Sequence, residues 1–195
     1  MTTSATAPAP TRPLPGDFPK LAVPQRPQRD TGCLIRHLND PNLIAGVEIE
    51  RGEVWPDDRG FFTELFRMGT PGWMRGFSPA AQVSAALSYP GTIKAVHYHR
   101  QQTDLWAPVI GQLQVVLFDL RQDSTSFGQV NTIFAGSQRP WRIRIPVGVG
   151  HGYKVVGVEA ALMIYATDRY YDPSDEGRLA YDDPYLNYDW DIQHK

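Results

Sequence analysis

Two histidines two residues apart, His97 and His99, open the part of the chain richest in chemistry. They end the run Thr92–His99, which reads as a β-strand, and residues i and i+2 of a strand point to the same face. Asp104 follows after a short turn-like segment, and Gly91 and Gly111 bracket the stretch. Far along the chain, Pro146-Val147-Gly148-Val149-Gly150-His151 supplies a third imidazole. His97, His99, Asp104 and His151 converging from neighbouring strands would make a site for a divalent transition metal. Such a ligand set suits Zn, Fe, Mn, Ni or Cu and does not choose among them. The alternative is that one or two of these side chains only line a polar barrel interior.

The elements that must position these residues are short strands. The candidates are 46–50, 61–67, 82–88, 92–99, 105–110, 113–120, 130–135, 141–145, 152–156 and 161–167. They are rich in β-branched and aromatic residues and are punctuated by Gly, Pro, Asp and Ser. No long stretch has helical periodicity. The expectation is an all-β fold, a jelly-roll barrel of the double-stranded β-helix type. The acidic, tyrosine-rich stretch after Asp172 is expected to be irregular or briefly helical. In 161–167, alternation places Ala161, Met163, Tyr165 and Thr167 on one face.

Residues 1–30 carry prolines at 8, 10, 13, 15, 19, 24 and 27 and read as an extended or disordered arm. Residues 31–195 then form a single domain. The chain has 195 residues and a net charge of −2, so nothing points to a nucleic acid or an anionic membrane as partner. Its apolar runs are too short to span a bilayer. The N-terminus lacks the basic start and apolar run of a secretory signal, and a single cysteine, Cys33, cannot form an internal disulfide. A cytoplasmic enzyme is the expectation. Trp106, Trp141, Trp190, Tyr170, Tyr185 and Tyr188 read as packing residues, and His37 and His194 as solvated ones.

The stretch Gly91 to Gly111 fits the first cupin signature, G-x5-H-x-H-x4-E-x6-G, with Asp104 in place of Glu, and Pro146 to His151 fits P-x-G-x-x-H of the second. A further resemblance is more specific. Asp58-Arg59-Gly60-Phe61-Phe62-Thr63-Glu64-Leu65-Phe66 resembles the D-x-R-G-x-F-x-E-x-F region of dTDP-4-dehydrorhamnose 3,5-epimerases. In the family's order follow Gln82 with Ser84, Ser88 and Gly91, then Lys94 to His99, then Phe118 to Gly128, Pro146 to Tyr153, Tyr165 to Tyr171, and Tyr181-Asp182-Asp183-Pro184. The resemblance runs from about residue 43 to the C-terminus.

The resemblance implies a homodimeric enzyme that epimerises a nucleotide-linked 4-keto-6-deoxy sugar by acid–base chemistry and requires no cofactor. The ketone acidifies its neighbouring carbons. A base removes one proton and an acid returns one to the other face. By motif match His97 is the base, Asp183 the carboxylate that orients it, and Tyr165 the acid. Arg59, Phe62, Glu64, Gln82, Lys94, His151 and Tyr171 would hold the nucleotide sugar. The sequence also departs from the family pattern. Asp104 stands where the family has a lysine near the enolate, Lys94 replaces an arginine, and His99 replaces a glutamine. The changes at His99 and Asp104 are the ones that complete the metal signature. The alternatives are therefore a metal-dependent cupin enzyme of another reaction class and a sugar-nucleotide binding protein without turnover.

Overall fold

The β-branched and aromatic runs become strands, and the Gly, Pro and Asp clusters between them become turns. The computed structural model describes residues 9–16, 19–67 and 82–191, with no helix among them. In chain order the strands are β1 (Thr11–Pro13), β2 (Ala22–Pro24), β3 (Cys33–Leu34), β4 (Glu48–Arg51), β5 (Trp55–Asp57), β6 (Gly60–Phe62), β7 (Gln82–Ser88) and β8 (Ile93–His99). They continue with β9 (Asp104–Ile110), β10 (Gln112–Asp119), β11 (Val130–Gly136), β12 (Trp141–Ile145), β13 (Val149–Val156), β14 (Ala161–Thr167) and β15 (Glu176–Arg178).

A six-stranded sheet in the order β15-β8-β13-β10-β11-β3 faces a five-stranded sheet in the order β4-β12-β9-β14-β7. Spatial neighbours that are not sequence neighbours are the mark of the jelly roll. The chain passes from β9 in one sheet to β10 in the other through Gly111, whose φ of +71° only glycine adopts freely. A Cβ there would also lie 2.7 Å from the Ala160 carbonyl oxygen.

β10 shows why its sequence, Leu113 to Leu120, is apolar almost throughout. Leu113, Val115 and Leu117 pack between the sheets with Trp106, Ile133, Ile143, Ile145 and Met163. Val116, Phe118 and Leu120 face outward, where Leu21, Val23, Leu186, Tyr188 and Trp190 cover them. A strand buried on both faces loses the polar alternation of a half-exposed one.

That outer layer is built from the two segments that flank the domain in sequence. The proline-rich arm is extended where it is described, but it is folded against the domain. β1 and β2 pair as an antiparallel hairpin, and Leu21, Ala22 and Val23 are fully buried. The C-terminal stretch has no helix among its described residues. It contributes β15 and a series of turns that bury Leu186, Tyr188 and Trp190. The expected strand at 61–67 shortens to β6, which forms a small hairpin with β5. His194 lies outside the described residues.

Candidate active site

β8 and β13 run antiparallel with His97 directly opposite His151. Just beyond this pair the register shifts between His151 and Tyr153, and a bulge of this kind re-aims side chains. Gly152 permits the close approach, since a Cβ there would lie 2.7 Å from the Ala95 Cα. From the facing sheet, β9 begins with Asp104. The four side chains converge, and one ligand-type atom from each lies within 4.8 Å of the others.

His151 Nε2 is 3.5 Å from Asp104 Oδ2, and His99 Nε2 is 3.9 Å from Asp104 Oδ1. The Gln102 amide donates to Asp104 Oδ1 at 2.7 Å and lies 3.2 Å from His99 Nε2. The Trp106 indole donates to Asp104 Oδ2 at 3.1 Å. His151 Nδ1 donates to the Val149 carbonyl at 2.8 Å, and His99 Nδ1 is 3.7 Å from Asp175 Oδ2. Burial and the neighbouring His151 hold His97 well below the usual histidine range, and burial lowers His99 as well. Burial opposes a charged Asp104, but the surrounding imidazoles outweigh it and hold the carboxylate below its usual range. The arrangement is therefore a carboxylate among imidazoles, two of which, His97 and His99, burial pushes towards the neutral form.

The cluster forms one end of a cavity of about 660 Å³, a size suited to a small organic ligand. His97 is its half-buried member and lines the cavity from β8, while His151 is 2% exposed and lies behind it. Met163, Tyr165 and Thr167 line the opposite wall from β14, as the alternation in that strand requires. Gln82, Lys94 and Tyr171 also reach the cavity.

Comparison with known proteins settles the family. The sequence profile of the dTDP-4-dehydrorhamnose 3,5-epimerases matches residues 41–195. The chain belongs to that family. The spore coat polysaccharide biosynthesis protein SpsL of Bacillus subtilis is 40% identical over 155 residues, which is 78% of this chain and 100% of the relative. The probable low-salt glycan biosynthesis epimerase Agl13 of Haloferax volcanii is 35% identical over 156 residues, covering 78% of this chain and 97% of its own. Among solved structures, the dTDP-6-deoxy-D-glucose-3,5-epimerase RmlC of Legionella pneumophila, in complex with dTDP-4-keto-L-rhamnose, superposes with a TM-score of 0.66 at 28% identity. That match covers 76% of this chain and 80% of the other.

Within the epimerase-family fold the motif residues divide into two groups. His97, Tyr165, Gln82, Lys94 and Tyr171 meet at the cavity. Arg59, Phe62 and Glu64 do not. Arg59 is 82% exposed and paired with Asp57, Phe62 stacks on Trp55, and Glu64 pairs with Arg67. Asp183 is not beside His97 either. Its carboxylate is paired with Arg12 of the arm and accepts the Tyr185 amide at 2.9 Å. His151 is buried and does not line the cavity.

Sequence reasoning missed Gln102, Asp175, Glu176 and Arg178. Gln102 and Trp106 flank Asp104 at short spacing, and that proximity is a readable signal. Arg178 sits opposite His97 on β15, a three-residue strand with no sequence periodicity to reveal it.

Proposed function

We propose that the protein is an isomerase that epimerises a nucleotide-linked 4-keto-6-deoxy sugar by removing and returning a proton beside the ketone. The observation that carries this reading is that His97 and Tyr165 line one cavity from opposing sheets. Inversion needs a proton taken from one face of the sugar and delivered to the other. A base and an acid on facing walls meet that need. His97 accepts the proton, since a neutral imidazole has a free lone pair. Tyr165 donates without placing a charge in the resting site.

The remaining lining supports the nucleotide. Lys94 and Arg178 put two cationic groups on the cavity wall, suited to a diphosphate, while Gln82 and Tyr171 lie where they can fix the ligand's orientation. Proton transfer beside a ketone needs no redox cofactor, but it needs positive charge near the developing enolate oxygen.

The same reading makes the protein a cytoplasmic homodimer, built as one domain over residues 31–195 with the arm packed against it. β7 is the outer strand of its sheet among the described residues, and Val83, Ala85 and Leu87 are exposed along it. A bare apolar edge of this kind is commonly covered by pairing. A second copy would bring Arg59, Phe62 and Glu64, which are remote from their own cavity, to that of its partner.

The test is incubation with a dTDP-4-keto-6-deoxyhexose in deuterated water. Deuterium should enter at the carbons beside the ketone, and inverted sugar should accumulate. Absence of exchange with every such sugar nucleotide offered would overturn the reading.

A further inference from the structure

Asp104 and His151 are each oriented by hydrogen bonds to groups outside the cluster, and His99 Nε2 lies 3.2 Å from the Gln102 amide and 3.9 Å from Asp104 Oδ1. With Nδ1 committed to the Val149 carbonyl, His151 turns Nε2 into the cluster. That nitrogen is buried without a hydrogen-bond partner, 3.5 Å from a carboxylate oxygen of Asp104. A buried ring nitrogen left unpaired beside a carboxylate is unfavourable unless a cation or a proton lies between them. The outer sides are arranged as in metal centres, where each ligand is oriented by a second partner. His151 has the Val149 carbonyl, His99 has Asp175, and Asp104 has Gln102 and Trp106. Neither ring nitrogen of His97 has a hydrogen-bond partner among the described residues, and His97 alone of the four is half-exposed.

We propose that the protein binds a divalent first-row transition-metal ion through His99, Asp104 and His151, with His97 outside the ligand set. The distances fit. Bonds of about 2.0–2.2 Å to a shared ion place ligand atoms roughly 3–4 Å apart, and the two pairs measured here are 3.5 and 3.9 Å apart. Two imidazoles and a carboxylate leave coordination positions open. Resting on the epimerase reading, the ion would supply Lewis-acid charge where Asp104 alone would repel an enolate. It would also leave His97 free as the base.

The test is metal content and affinity, read apart from turnover. Protein produced without added metal should carry a first-row ion at one per chain. Chelator-treated protein should bind Co²⁺ saturably, with a visible spectrum and a raised melting temperature. His99→Ala, Asp104→Ala and His151→Ala should each weaken Co²⁺ binding at least about 100-fold, and Gln102→Ala about 10–100-fold as the loss of an outer partner. His97→Ala should bind within a few-fold of wild type, with circular dichroism confirming its fold. Folded wild-type protein without saturable Co²⁺ binding would overturn the proposal, whether or not the variants fold. Loss of binding in folded His97→Ala would overturn the three-residue assignment. Deuterium exchange into substrate by metal-free protein would leave the epimerase reading standing and remove only the metal's role. A metal-loaded protein without exchange would do the reverse.

Discussion

Tyr165 stands across the cavity from His97, so the two half-reactions can be separated by a single oxygen atom. Tyr165→Phe removes the hydroxyl and keeps the ring that packs beside the sheet core. If His97 abstracts and Tyr165 returns the proton, the variant should still wash deuterium into the substrate yet form inverted sugar about 10²–10⁴-fold more slowly. Wild-type turnover in a folded variant would take Tyr165 out of the mechanism. At this scale much of the site was readable in advance. His97, His99 and Asp104 are linked by strand alternation and short spacing, and His151 by a turn motif. Asp183 was not readable in the same way. Motif order placed it beside the base, but an arginine 171 positions away, Arg12, claims its carboxylate. Long-range pairing of that kind leaves no local sequence signal.

Among the elements, the arm and the turn after β10 carry consequences that composition hides. Prolines made residues 1–30 read as extended or disordered, because proline lacks a backbone donor. Leu21-Ala22-Val23 between them is nonetheless apolar enough to cover the outer face of β10. Leu21→Ala should therefore cost about 2–5 kcal/mol, the range for a buried leucine, measured as a lowered urea midpoint. A change within a few tenths of a kcal/mol would mean that the arm is not part of the folded core. In the turn, burial alone would raise Asp119, but hydrogen bonds from Arg121, Ser124 and Ser126 prevail and hold it below the usual carboxylate range. Arg121 in turn donates to the Ala45 carbonyl at 2.7 Å, which ties the turn to the segment before β4. A carboxylate lowered by folding stabilises fully above its unfolded value of about 3.9, and that contribution is lost as the pH falls through the lower folded value. Asp119→Asn should thus destabilise by about 2–3 kcal/mol at neutral pH, somewhat under the cost of breaking a fully buried pair because Arg121 is partly exposed. The gap from wild type should narrow steadily below about pH 4. A pH-independent gap would assign the cost to packing and not to charge. Strands β7 to β14 were legible almost end to end, because each is a local run of one residue class. The covering layers were not, because their burial depends on which face of a distant strand they meet.

For the whole molecule, the exposed hairpin and the bare β7 edge bear on one question. Arg59, between β5 and β6, does not line the cavity of its own chain, and the proposed dimer would bring it to the cavity of the partner. A twofold dimer makes this testable by complementation, since each site then draws on both chains. Arg59→Ala and Tyr165→Phe should each be inactive or nearly so when prepared alone. Mixed after mild dissociation, half of the dimers pair one variant with the other. In such a dimer one cavity has both defects and the other has none. About a quarter of all sites should then regain wild-type turnover. The same mixture should show a dimer mass by light scattering, and Leu87→Lys on β7 should shift that mass towards monomer by placing a charge in the apolar strip. If Arg59 served the cavity of its own chain, every site in the mixed dimers would keep one defect and turnover would stay at the level of the single variants. A monomeric wild type at micromolar concentration would exclude the shared site altogether, and the hairpin residues would then have to act through the chain that carries them.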